Sequence, residues 1–153
     1  MVFTVSSEAF QNGGRIPDLY TCEGEDRSPP LTWYDFPSDT RSLVLVCDDP
    51  DAPMGTWDHW LLYNIDPARG GIPAFIPSIR ILPDGETHGM NSWGREDYGG
   101  PCPPAGKPHR YFFKLYAISK DLKLPPGLKK SRLMERLKGH VIGKAELIGY
   151  YSR

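Results

Sequence analysis

Short apolar segments separated by turn residues run along most of the 153-residue chain. Residues 42–47 form an unbroken run of Leu, Val and Cys after Ser42, a pattern that predicts a strand buried on both faces. Residues 109–118 alternate between two sets of mostly apolar side chains, which predicts the longest strand of the chain. Further short strands are predicted over residues 3–5, 31–34, 60–65 and 145–151.

One helix is predicted, over residues 129–138, because Leu133 and Leu137 are four positions apart and Gly139 follows as a C-terminal cap. Residues 72–108 are mostly Pro, Gly and polar, and a loop of that length inside a compact domain usually carries function. The length fits one domain over residues 1–153. Strands dominate, and the chain has no unit in which a strand, a glycine-rich loop and a helix come in succession. We therefore expect a mainly β sandwich rather than a nucleotide-binding α/β enzyme.

The composition supports the same fold class and excludes several partners. Glycine and proline contribute 16 residues each, which leaves little room for long helices. The net charge of -1 lacks the positive excess that nucleic acids and anionic membranes attract, so we expect no nucleic acid partner. The longest apolar run, residues 43–47, is too short to cross a bilayer, and the N-terminus lacks a secretion signal. We therefore expect a cytoplasmic protein without stable membrane insertion.

The cysteines predict no crosslink, and no metal is expected either. Cys22, Cys47 and Cys102 are odd in number and widely spaced, so we expect three reduced thiols. Asp and His side chains near residues 49–59 and 109 are of metal-ligating type, but their spacing is not specific for a metal. The sequence therefore predicts no metal site and no cofactor.

Two regions carry residues suited to ligand binding. In the first, residues 49–53 read Asp-Pro-Asp-Ala-Pro and hold two carboxylates on a proline-stiffened loop, and His59 follows at the next strand. In the second, residues 99–104 read Gly-Gly-Pro-Cys-Pro-Pro and precede His109, so free backbone N–H groups there can meet an anion. Each residue also has a structural alternative, since Asp-Pro pairs form turns and Tyr111 and the four tryptophans fill sandwich cores.

In these two regions the chain resembles the phosphatidylethanolamine-binding protein family, and its bacterial and archaeal branch, which shares a name with the Raf kinase inhibitor proteins. The matching segments, in chain order, are Asp49-Pro50-Asp51-Ala52-Pro53, His59, Gly100-Pro101-Cys102-Pro103-Pro104 and His109-Arg110-Tyr111. The resemblance extends from residue 31 to residue 151.

The resemblance implies a Greek-key β-sandwich with one or two short helices and a small anion pocket at one end. The ligand-binding residues it implies are Asp49, Asp51, His59, Gly100, Cys102, His109 and Tyr111. It implies a structural role for Pro50, Pro53, Pro103 and Pro104, with a cis bond between Ala52 and Pro53. It also leads us to expect no counterpart of the C-terminal helix that lies beside the pocket in animal members, because the sequence ends at Arg153 after its last predicted strand.

Two aspartates in one small pocket repel a phosphate, so an anion site needs either a protonated His59 or His109 or a ligand that brings its own cation. A phosphoethanolamine-like zwitterion meets the second condition, because its ammonium can pair with Asp49 or Asp51. We therefore expect a non-catalytic module for a small anionic or zwitterionic phosphoryl ligand, with affinity that rises as the pH falls through about 6.5. Its surface could also contact a protein partner, a kinase or a protease, and a sandwich edge could form a homodimer.

Two other functions stay open. A His and a carboxylate in one pocket are the parts of a general acid–base pair, which could activate water in a weak hydrolase, although no nucleophile motif is present. Alternatively, an exposed loop within residues 72–98 could inhibit a serine protease, and such an inhibitor would not need the pocket.

Overall fold

The computed structural model describes residues 1–153, and strands make up most of its regular structure. The elements are β1 (Thr4–Ser6), β2 (Leu31–Tyr34), β3 (Ser42–Asp49), β4 (Trp57–Ile65), β5 (Gly71–Ile72), β6 (Thr87–His88), β7 (His109–Ile118), α1 (Lys130–Leu137) and β8 (Val141–Tyr151). Single 3₁₀ turns cover Asp18–Tyr20 and Pro67–Arg69. All the predicted strands and the one predicted helix are confirmed, while the two-residue strands β5 and β6 were not predicted.

The strands form two antiparallel sheets, in the orders β1-β2-β5 and β6-β4-β3-β7-β8. β3 lies at the centre of the larger sheet, and all eight of its residues are buried, as its apolar run predicts. β6 lies at one edge beside β4, whereas β7 pairs with β3, so the chain crosses two strands between β6 and β7. The predicted mainly β sandwich is therefore confirmed.

Alternation along β3 divides the core into two parts. Leu43, Leu45 and Cys47 face the smaller sheet, and the main core lies between the two sheets. Val44 and Val46 face the other way, where Leu133 and Leu137 of α1 cover the larger sheet. Gly139 follows α1 with φ of 83°, the left-handed conformation expected of a C-terminal cap. None of the helices has the length and apolar character required to cross a membrane.

Candidate functional site

Strand register brings the ends of β3, β4 and β7 together at one end of the larger sheet. Asp49, the last residue of β3, pairs with Trp57 at the start of β4. Asp48 pairs with Phe112 near the start of β7. Because β3 runs antiparallel to both neighbours, its C-terminal end lies beside their N-terminal ends. Two sequence regions that are far apart along the chain therefore meet at one place.

A cavity of about 360 Å³ lies at this end of the sandwich. The residues that line it are Asp49, Ala52, Pro53, Met54, Trp57, His59, Trp93, Cys102, Pro103, His109 and Tyr111. Five of the predicted ligand-binding residues are in this set, together with two of the prolines predicted to shape the loops. Asp51, Gly100, Pro50 and Pro104 are not among the lining residues.

Asp49 and His109 form a buried pair at the cavity wall. His109 Nδ1 lies 2.7 Å from Asp49 Oδ2, and the two side chains are only 12% and 5% exposed. The other carboxylate oxygen, Oδ1, accepts the Asp51 N–H at 2.8 Å. Because a carboxylate only accepts hydrogen bonds, Nδ1 carries the proton. His109 Nε2 has no partner within the protein, so it is an acceptor in the neutral ring and a donor in the imidazolium.

His59 has the opposite character. Its ring is almost completely buried, and its Nδ1 donates to the Gly99 carbonyl at 2.7 Å. Burial lowers the pKa of His59, because the charged ring loses its hydration. The neutral ring therefore presents Nε2 as an acceptor, and His109 is the better candidate for the positive charge that an anion needs.

Among the residues that line the cavity, Tyr111 alone carries a hydroxyl group. Burial raises its pKa well above the usual range, and the negative charge of Asp49 adds to the effect. The phenol therefore stays protonated and can donate a hydrogen bond. Its ring lies edge-on to His59, with 5.1 Å between the ring centroids.

Asp51 is held by Arg110 rather than facing the cavity. Its Oδ1 accepts from Arg110 Nη2 at 2.8 Å, and its Oδ2 accepts from both Nε and the backbone N–H of Arg110 at 2.9 Å. The side-chain hydrogen bond from Arg110 is the main reason that the pKa of Asp51 falls from 3.8 to about 2. Asp51 thus ties the loop after β3 to the start of β7.

Replacing Asp51 with Asn should lower the free energy of unfolding near neutral pH by less than about 1 kcal/mol, because the ion pair is exposed and screened. Since the folded pKa of Asp51 is about 2 and its ordinary value is 3.8, the contribution is present above 3.8 and is lost as the pH falls toward 2. Urea unfolding of the wild type and Asp51→Asn at both ends of this range tests the expectation. Asp39→Asn is the matched control, because Asp39 is exposed and forms no ion pair. A loss that is equally large at both pH values would contradict it.

Gly100 is needed for close packing. Its N–H donates to Asp26 Oδ1 at 2.8 Å and so is not free for an anion. A Cβ atom at this position would lie 2.2 Å from the Tyr20 carbonyl oxygen, so no larger residue fits without displacing backbone.

The prediction of three reduced thiols was wrong, because Cys22 and Cys102 form a disulfide with 5.4 Å between their Cα atoms. The two residues are 80 positions apart, and folding alone brings them together. The Cys22 N–H also donates to the Pro101 carbonyl at 3.1 Å, so the bridge and a hydrogen bond connect the same two loops. Cys102 lines the cavity, and the disulfide is therefore part of its wall. Cys47 is free and buried, and burial raises its pKa.

The prediction of a cis bond between Ala52 and Pro53 was also wrong, since the chain contains no cis peptide bond. The loop instead reverses direction in a turn over residues 52–55. The Gly55 N–H donates to the Ala52 carbonyl at 3.1 Å, and Gly55 has φ of 107°, a conformation that favours glycine.

Two tryptophans that line the cavity, Trp57 and Trp93, were not among the predicted ligand-binding residues. Their ring centroids are 5.5 Å apart and their planes meet at 80°. Residues two apart on a strand share a face, so the position of Trp57 two residues before His59 was a usable signal. Trp93 lies in the segment 72–108, whose length indicated a functional loop, but nothing in its local sequence distinguishes it.

The chain is similar to a known protein family over nearly its whole length. A family model described as phosphatidylethanolamine-binding protein matches residues 6–152. A UPF0098 protein of Methanothermobacter thermautotrophicus is 49% identical over 97% of this chain and 98% of its own length. A UPF0098 protein of Aquifex aeolicus is 43% identical over 99% of this chain and 90% of its own length.

Two crystal structures share the fold. A phosphatidylethanolamine-binding protein homolog from Chlamydia trachomatis superposes with a TM-score of 0.91 at 36% identity, covering 99% of this chain and 98% of its own. YbcL of E. coli, described as a new member of the mammalian family, superposes with a TM-score of 0.91 at 31% identity, covering 100% of this chain and 99% of its own.

Proposed function

Because the chain belongs to the phosphatidylethanolamine-binding protein family, we propose that it is a non-catalytic module that binds a small phosphorylated zwitterion in the cavity beside Asp49 and His109. The observation that carries this proposal is the hydrogen bonding of the His109 ring. Its Nδ1 is fixed by Asp49, and its Nε2 has no partner within the protein.

The phosphoryl group is best placed at His109. An imidazolium Nε2–H in a mostly apolar cavity forms a charge-assisted hydrogen bond with an anion, and such bonds are stronger than neutral ones. Binding of the anion is then linked to protonation of the ring, because the neutral ring presents a lone pair at Nε2. The Tyr111 hydroxyl, kept protonated by burial, supplies a second donor nearby.

The charge balance of the cavity favours a zwitterion over a bare anion. No Lys or Arg lines the cavity, and its only carboxylate is Asp49. When His109 is protonated, the Asp49 and His109 charges cancel, and His59 is neutral. A ligand with a net charge of minus two would therefore enter without a matching positive charge, whereas a zwitterion's own cation cancels one of those negative charges.

Two features support binding without turnover. The lining residues include no Ser, Thr or free Cys, and the sulfur of Cys102 is in the disulfide. The imidazole of His109 is paired with Asp49 in the manner of a general acid–base group, but Tyr111 is the only hydroxyl beside it, and its pKa is raised, which weakens it as a nucleophile.

An NMR titration tests the proposal. Phosphoethanolamine should give saturable amide shifts at the residues that line the cavity, larger at about pH 6 than at about pH 7.5, on either side of the usual histidine pKa. His109→Gln should weaken binding, so that the shifts reach saturation only at about 10- to 100-fold higher phosphoethanolamine concentration. His140→Gln is the matched control, because His140 lies in the turn between α1 and β8 and does not line the cavity. Absence of saturation in the wild type at both pH values, or equal shifts in His109→Gln, would overturn the proposal.

A further inference from the structure

We infer that the cavity selects a methylated ammonium group, as in a choline phosphoester, over the primary ammonium of an ethanolamine phosphoester. This inference rests on the proposed function and specifies the cationic end of its ligand. It follows from the hydrogen bonds that the acidic residues already make, together with the aromatic walls of the cavity.

A primary ammonium finds few free acceptors here. It has three N–H donors, and each needs an acceptor when water is removed. Asp51 is occupied by three hydrogen bonds from Arg110. Asp49 accepts from His109 on one oxygen and from the Asp51 N–H on the other. The acceptors left among the lining side chains are His59 Nε2, the Tyr111 hydroxyl oxygen and the remaining lone pairs of Asp49.

A trimethylammonium group has no N–H donor and needs no acceptor. It is a diffuse cation with an apolar surface, so contact with apolar side chains costs it less than the same contact costs a primary ammonium. Six of the eleven residues that line the cavity are hydrophobic. The carboxylate of Asp49 still attracts the positive charge through space, without a hydrogen bond.

Trp57 and Trp93 provide the surface that such a cation prefers. The two indole rings meet almost at a right angle, with 5.5 Å between their centroids. Both line the cavity, and neither indole N–H has a hydrogen-bond partner within the protein, in contrast to those of Trp33 and Trp60. Aromatic faces attract cations within about 6 Å, and quaternary ammonium groups are recognised by aromatic residues arranged in this way.

The position of the tryptophan pair is well supported. Trp93 lies edge-on to His59 at 5.0 Å between centroids, and it packs over Gly99, where a Cβ atom would come within 2.2 Å of the indole. The guanidinium carbon of Arg95, which does not line the cavity, is 5.3 Å from the Trp93 centroid. The Trp93 ring therefore already accepts one cation in the protein, outside the cavity. With the phosphate at His109, the methylated cation lies against the Trp57–Trp93 pair.

Calorimetric titration with phosphocholine, phosphoethanolamine and inorganic phosphate tests the inference. Wild-type protein should bind phosphocholine about tenfold more tightly than phosphoethanolamine, within the range that cation–π contacts supply. Trp93→Leu and Trp57→Leu should each reduce this ratio toward one, and Trp93→Phe should keep part of it. Tyr34→Leu is the matched control, because Tyr34 is an exposed aromatic residue outside the cavity.

The outcomes separate this inference from the proposed function. If phosphoethanolamine binds as tightly as phosphocholine, or if the ratio is unchanged in both leucine variants, the methylammonium inference fails and the proposed function stands. If none of the three compounds binds, both fail. Sedimentation with phosphatidylcholine vesicles then distinguishes the sources of the group. Vesicle binding that phosphocholine displaces indicates a lipid headgroup, and soluble binding without vesicle binding indicates a free ester.

Discussion

His109→Gln is expected to weaken binding of a phosphoryl zwitterion by about 10- to 100-fold at about pH 6, the range that loss of a charged hydrogen bond gives. The same change should remove the pH dependence of binding, because the proton that the wild-type ring takes up with the ligand has no counterpart in glutamine. A phosphodiester such as glycerophosphoethanolamine is the best probe. It keeps a single negative charge across this range, so titration of the ligand does not mask that of the protein.

Calorimetry in buffers of different ionisation enthalpy measures the linked proton directly. Wild-type protein should take up a proton on binding at neutral pH, and His109→Gln should take up none. Asp49→Asn should weaken binding as well, because it removes the carboxylate that pairs with the imidazolium. His140→Gln should behave like the wild type. Proton uptake that persists in His109→Gln would assign the linked site to another group.

Acidification should act on the fold in the opposite sense. The pKa of His59 is lowered from 6.5 because its ring is buried, so the folded state holds this group neutral. Its contribution to stability is therefore present above about 6.5 and decreases as the pH falls below that value. Bound ligand should offset part of this loss, because it binds only the folded state.

The sequence was a good guide to the elements and a partial guide to the site. The apolar run at residues 42–47 predicted the central strand β3, because only a strand buried on both faces needs that pattern. The position of Asp49 at its end, and of His59 and His109 at the starts of two strands, predicted which residues meet. Sequence position could not show which way the next carboxylate turns, and Asp51 pairs with Arg110 instead of facing the cavity.

The other features that were not predicted, the disulfide and the place of Trp93 in the cavity, have a common physical origin. A disulfide between residues 80 positions apart depends on the tertiary fold, and no local spacing of cysteines predicts it. The same holds for Trp93, whose contact with Trp57 joins a long loop to a strand. The cytoplasmic location and a kinase or protease partner stay predictions, because neither depends on the features of the cavity.

Removal of the disulfide should have the largest effect on stability. Cys22→Ser with Cys102→Ser should lower the free energy of unfolding by about 2–4 kcal/mol, because the bridge closes a long loop and restricts the unfolded chain. Five strands, β2 to β6, lie between the two cysteines. Denaturant unfolding of the oxidised wild type, the wild type reduced with dithiothreitol and the double variant measures the effect. The reduced wild type is the control for the serine hydroxyls, and equal midpoints for the oxidised and reduced proteins would contradict the expectation.

The same variant should weaken ligand binding by severalfold even under conditions where it is fully folded, because Cys102 belongs to the cavity wall. The neighbouring loop has other restraints, since the Pro103 carbonyl accepts from Arg153 Nε at 2.7 Å and the Gly106 N–H donates to the Arg153 carbonyl at 3.2 Å. These restraints should keep the loop near its position, so binding should be reduced and not lost. Unchanged affinity in the folded double variant would show that the Arg153 hydrogen bonds hold the cavity wall in place without the disulfide. The disulfide would then have a role in stability alone.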